Sequence, residues 1–128
     1  MTIVVICIAI VVFMPMIAKA PLAFLMNKQG GYDNRLPREQ QKSLTGLGAR
    51  SKAAHENCFE ATTFFAPTVL LVLALNALDQ TTAYLCVAFV VCRFMYLICY
   101  WADWHILRST VWAIGMFTIA AHYFGLLA

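Results

Sequence analysis

Charge is scarce in this chain. Only 12% of its 128 residues are charged, against 62% hydrophobic, which leaves too little polar surface to cover a soluble globule and marks a membrane protein. No internal repeat, low-complexity tract or linker interrupts the sequence, so residues 1–128 are expected to form one membrane domain with no room for an added soluble module. The five cysteines, Cys7, Cys58, Cys86, Cys92 and Cys99, make no CxxC pair, and no histidine stands at zinc-ligand spacing from them. They read as small buried hydrophobes, and no metal site is expected. His105 suits a membrane-interface turn, and His122 a helix end near Tyr123. The basic residues lack interleaved aromatic readers, which argues against a nucleic-acid partner, and the chain lacks the broken helices of an inverted-repeat carrier.

What the sequence has in quantity is long apolar runs. They predict an all-α integral membrane protein, a bundle of four transmembrane helices near 3–26, 54–76, 81–101 and 106–127. Ala18-Lys19-Ala20 imitates a signal-peptide cleavage site, but no Lys or Arg precedes the first run, Pro21 follows the site, and the apolar stretch resumes at Leu22, so the segment is expected to remain as a span. Pro15 within it removes a backbone donor, which predicts a kink covered by neighbouring helices. Lys19 either snorkels or lines a polar site. Gly115 and Ala120 in the last run read as close helix packing. Lys28, Arg35, Arg38, Lys42, Arg50 and Lys52 precede the second run, whereas the connection between the second and third offers only Asp79. The positive-inside rule then puts the loop 27–52 and the turn 102–105 in the cytoplasm and both termini outside. The net charge of +3 expresses this bias.

Two polar stripes stand where membrane helices should be apolar. Arg50, Glu56, Asn57 and Glu60 open the second run, and Arg93, Tyr96, Tyr100 and Asp103 close the third. A central charge costs roughly 2.5–3.5 kcal/mol in a membrane helix, and such residues face a partner, cavity or ligand rather than lipid. At about 100° per residue, Arg50, Asn57 and Glu60 fall within roughly an 80° arc, and the four residues of the third run repeat that arc. One span enters from the side by which the other leaves, so both stripes occupy the same three turns of depth, about 15 Å. Two readings are open. The charges neutralise one another between helices, with Asn57 and the phenols completing hydrogen bonds, or the mixture of cations, carboxylates, amide and phenols holds a zwitterionic, peptide-like ligand.

These residues resemble a family. Asn34-Arg35-Leu36-Pro37-Arg38-Glu39, then Leu44-Thr45-Gly46 through Arg50, then Ala54-His55-Glu56-Asn57-Cys58-Phe59-Glu60 are similar to the membrane-associated proteins in eicosanoid and glutathione metabolism (MAPEG), most of all their bacterial branch. The resemblance covers nearly the whole chain and is most specific in the Asn-x-x-Glu of the second span combined with Arg-x-x-Tyr-x-x-x-Tyr of the third. It implies a homotrimer with glutathione between neighbours, held by Asn57, Glu60, Arg93, Tyr96 and Tyr100, with Arg50 matching an arginine of the prostaglandin-synthase type. Arg108 is implied to be the catalytic stabiliser of the glutathione thiolate, and the second substrate an apolar electrophile or lipid hydroperoxide arriving from the bilayer. The chain departs from the family at Ala53, where glutathione-binding members commonly carry arginine; Arg50 lies about one turn, roughly 5 Å, away. A glutathione-dependent transferase or peroxidase, a non-catalytic lipid-binding or scaffold protein, and a small channel or transporter are the three functions in competition.

Overall fold

The structure, a computed structural model, describes residues 1–127. Those residues form five helices and no strand: α1 (Thr2–Lys28), α2 (Pro37–Ser43), α3 (Leu47–Ala74), α4 (Gln80–Ala102) and α5 (His105–Leu127). All but α2 are long and apolar enough to cross a bilayer, so the architecture is a four-span helical bundle of an integral membrane protein. On α1 the buried residues Val4, Cys7, Val11, Met14, Ala18, Leu22 and Met26 recur every three or four positions, which is one helix face. That face packs chiefly on α3, while α4 packs chiefly on α5. The α3 side of the seam is built from Ala54, Cys58 and Ala61, small residues that let two backbones approach. Phe65 of α3 and Phe89 of α4 stack at 4.4 Å in the middle of the core. Gly115 meets the same layer: a Cβ there would lie 3.6 Å from Cys92 and 3.7 Å from Phe89, so the close packing expected of this residue is present. Outward residues such as Phe13, Phe24, Phe117 and Phe124 are 66–73% exposed, as a lipid-facing surface requires.

Pro15 shows how a membrane helix repairs a missing donor. Its ring nitrogen has no hydrogen to give the Val11 carbonyl four residues back; the Thr62 hydroxyl of α3 lies 3.3 Å from that carbonyl and 2.9 Å from the Cys58 carbonyl of its own helix, so its one hydrogen is shared between them. His55 meets a further carbonyl on the same helix, its Nδ1 lying 2.9 Å from the Pro15 carbonyl. The expected cover from a neighbouring helix is therefore present.

Two helices end in the same way. Asn76 and Asp103 take left-handed conformations, with φ 53° and 63°. Ala77 and Trp104 then donate back to the carbonyls of Val72 and Cys99, the six-to-one bond that closes a helix C-terminus. Between them Asp79 caps α4, its Oδ1 accepting from the Thr82 backbone and hydroxyl, each at 2.7 Å.

The structure differs from the sequence reading at the polar segment. α3 begins at Leu47 rather than 54, because the turns carrying Arg50 and Lys52 are helical without being apolar and hydropathy does not register them. The short α2, with Pro37 in its first turn, is a further element inside what reads as loop. Gln40 fastens this segment: its Nε2 donates to the carbonyls of Met26 and Gly31, and its Oε1 accepts from the Asp33 amide.

Candidate functional site

The polar stripes of α3 and α4 meet at two levels, as their antiparallel register requires. At the inner level Asn57 Oδ1 accepts from Arg93 Nη2 at 2.7 Å, and Asn57 Nδ2 donates to Glu60 Oε2 at 2.7 Å. Arg93 is only 3% exposed, so the amide relays an opposite charge to a buried cation. At the outer level Arg50 Nε donates to the Tyr100 carbonyl at 3.0 Å, and its Nη1 pairs with Asp103 Oδ2 at 3.3 Å. Arg50 thus closes the C-terminus of α4, where a cation also complements the helix dipole.

Cations and phenols then alternate across α4 towards α5. The Arg93 guanidinium lies 4.3 Å from the Tyr96 ring centroid, Tyr96 meets Tyr100 edge-on at 5.1 Å, and the Arg108 guanidinium lies 4.5 Å from the Tyr100 centroid. Contacts of this kind orient a guanidinium without consuming its N–H donors. Asn57, Glu60, Tyr96, Tyr100, Arg108, Ser109 and Trp112 line a cleft of about 300 Å³ between α3, α4 and α5. Behind it a chamber of about 40 Å³ reaches Arg93 and Gly115. Arg93 Nε is buried with no hydrogen-bond partner among the described residues. Trp112 and Met116, which wall the chamber, also belong to an apolar surface of α5 with Ala113, Phe117 and Ala120. Trp112 therefore stands between the polar cleft and an apolar helix face.

Of the residues singled out in the sequence, Asn57, Glu60, Tyr96, Tyr100 and Arg108 converge on this cleft, and Arg93 lies in the chamber behind it. Arg50 does not line it, being held on Asp103 and the α4 terminus, and Lys19 on α1 is absent from its walls. Ser109 and Trp112 belong to the cleft without having been singled out for it. The available signal was helical: Trp112 stands four positions after Arg108, on the same face. At the opposite end of the bundle His122 lies in the last two turns of α5, near the helix end, and is buried, with Nδ1 2.8 Å from the Thr118 carbonyl and Nε2 3.8 Å from Cys86 Sγ. The five cysteines are all free thiols.

The arrangement offers carboxylate, amide, guanidinium and phenol groups to one bound molecule, and an apolar approach to the same point. The MAPEG family model matches residues 3–128. No curated protein and no solved structure matches the chain.

Proposed function

The chain belongs to the MAPEG family, and from that premise we propose that it is a membrane-bound glutathione-dependent transferase or peroxidase acting on apolar electrophiles or lipid hydroperoxides. The observation that carries this reading is the cleft itself: groups of both charge signs line a space of about 300 Å³ that adjoins an apolar face of α5. A tripeptide with an amine, two carboxylates and a thiol needs both signs of partner, and an apolar second substrate needs a path from lipid. In this reading Asn57 and Glu60 hold the peptide's polar backbone and amine, Tyr96 and Tyr100 form the opposite wall, and Arg93 acts from behind through its bond to Asn57. Arg93 Nε, buried without a partner among the described residues, is left as a donor for water or for a group that reaches it.

Arg108 is assigned the chemistry. A free thiol with a pKa of about 8.5 is only a few per cent thiolate at neutral pH, and each unit of depression corresponds to about 1.4 kcal/mol. Guanidinium does not give up its proton in proteins, so Arg108 acts by stabilising the anion and not as a base. The whole chain serves as one membrane domain, assembled as a homotrimer in a bacterial inner membrane with the loop 27–52 on the cytoplasmic side. Calorimetric titration of glutathione into detergent-purified protein tests the reading. Saturable binding that is weakened by Glu60→Gln supports it, and absence of binding removes it.

A specific observation favours a second reading, a non-catalytic lipid-binding or scaffold protein of the same family. Ala53 stands where glutathione-binding relatives are expected to carry arginine, and Arg50, the nearest substitute, is committed to Asp103 and the Tyr100 carbonyl. Under that reading the apolar face of α5 beside Trp112 takes lipid while glutathione produces no heat.

A further inference from the structure

A second groove lies away from the cleft, where the end of α1 meets the start of α3, and it encloses about 270 Å³. Its floor is apolar, formed by Leu25, Leu44 and Leu47, and its rim carries Lys28. The groove is built rather than incidental. Gly48 places its backbone against Leu44, and a Cβ on Gly48 would come within 2.7 Å of Leu44 Cβ, so glycine is what seats that leucine in the floor. Ser43 Oγ donates to the Gln40 carbonyl at 2.8 Å and lies 3.3 Å from Gln29 Oε1 on the rim, and Gln40 ties the intervening loop to the last turn of α1. The groove thus stands at the ends of two helices that are long and apolar enough to cross a bilayer, where a lipid headgroup would be within reach.

Charge selects the occupant. Residues 28–52 carry six cations, Lys28, Arg35, Arg38, Lys42, Arg50 and Lys52, against the two acids Asp33 and Glu39. Lys42 is paired with Glu39, Lys52 with Glu56 and Arg50 with Asp103. Lys28, Arg35 and Arg38 form no ion pair among the described residues. An unneutralised cation above an apolar floor at the membrane surface matches a phosphate on an acyl chain. We infer that this groove binds an anionic phospholipid, with an acyl chain on Leu25, Leu44 and Leu47 and the headgroup phosphate at Lys28. The inference does not rest on the glutathione reading, since the groove and the cleft have no residue in common.

The test is lipid exchange into nanodiscs of phosphatidylcholine with or without phosphatidylglycerol, read by native mass spectrometry of the released protein and by its melting temperature. The chain should retain phosphatidylglycerol in preference to phosphatidylcholine and melt higher in its presence. Lys28→Gln should weaken retention about fivefold, the equivalent of about 1 kcal/mol for one cation near the surface, and Lys28→Arg should keep it. Lys42→Gln removes an equal charge outside the groove and should change little. Equal retention of the two lipids overturns the proposal without need of any variant. Equal losses from Lys28→Gln and Lys42→Gln overturn it by reducing the effect to diffuse surface charge. Full displacement by inorganic phosphate overturns it in favour of a free-anion site.

Discussion

Asn57 uses both ends of its amide, and that makes it different in kind from Glu60. Its oxygen satisfies the buried Arg93 and its nitrogen holds the exposed Glu60. Asn57→Ala leaves the guanidinium with an unmet donor in a buried place, a cost of about 1–3 kcal/mol, so it should lower the melting temperature in detergent as well as glutathione affinity. Glu60→Gln keeps an acceptor for the amide on an exposed position and should weaken glutathione binding while barely moving the melting temperature. Asp79 gives a pH prediction. The Thr82 backbone N–H and hydroxyl hold its carboxyl below the usual carboxylate range. Because the folded pKa is depressed, the stabilisation is present above the unfolded value of about 3.9 and is lost as pH falls through the lower folded value. Asp79→Asn, which can still cap α4, should remove this part of the acid sensitivity in melts recorded below about pH 4. Of these residues, the sequence made Asn57, Glu60 and Arg93 legible, because a charge or amide in an apolar run announces itself. Trp112 was not, since an aromatic residue in an apolar helix carries no mark of lining a cleft.

Between elements, the seam of α1 with α3 depends on one proline and one threonine. Thr62→Val should destabilise the parent by at most about 1 kcal/mol, because the Val11 carbonyl, which has no backbone donor, shares the Thr62 hydrogen with the nearer Cys58 carbonyl. In a Pro15→Ala background the helix supplies that donor itself, so the same change should cost little, and a double-mutant cycle on unfolding in detergent would expose the coupling. Gly46 precedes α3 with φ 55° and ψ −125°, a conformation that side chains disfavour. Gly46→Ala should therefore cost about 1–3 kcal/mol, whereas Gly115→Ala, whose new methyl would meet ordinary contact distances, should be tolerated. The four spans were readable within a few residues at most ends because hydropathy follows the hydrocarbon thickness. The first two turns of α3 and the whole of α2 were hidden for the converse reason: outside the membrane a helix has no need of an apolar run.

For the whole molecule, the two stripes predicted that α3 and α4 meet antiparallel at matched depth, and the pairs Arg50–Asp103 and Arg93–Asn57 show that register. What a single sequence does not encode is which of those cations faces open space; that depends on the tilt and rotation of packed helices, and it separates Arg108 from Arg50. The cytoplasmic placement of the loop 27–52 is testable by labelling one cysteine at the exposed Arg38 in a cysteine-free background, sparing the Gln40 clamp. An impermeant maleimide should react only after the membrane is opened, and reaction in intact cells would invert the topology. The central claim is that Arg108 turns bound glutathione into a thiolate, and thiolate absorbance on mixing glutathione with the purified protein reads it most directly. The parent should develop a saturable thiolate signal at neutral pH, and Arg108→Ala should lose it while conjugation of a generic electrophile falls about 10²–10³-fold and glutathione affinity moves little. An Arg108→Ala protein with the parent's thiolate signal and turnover would contradict the account and leave Arg108 as an interfacial cation.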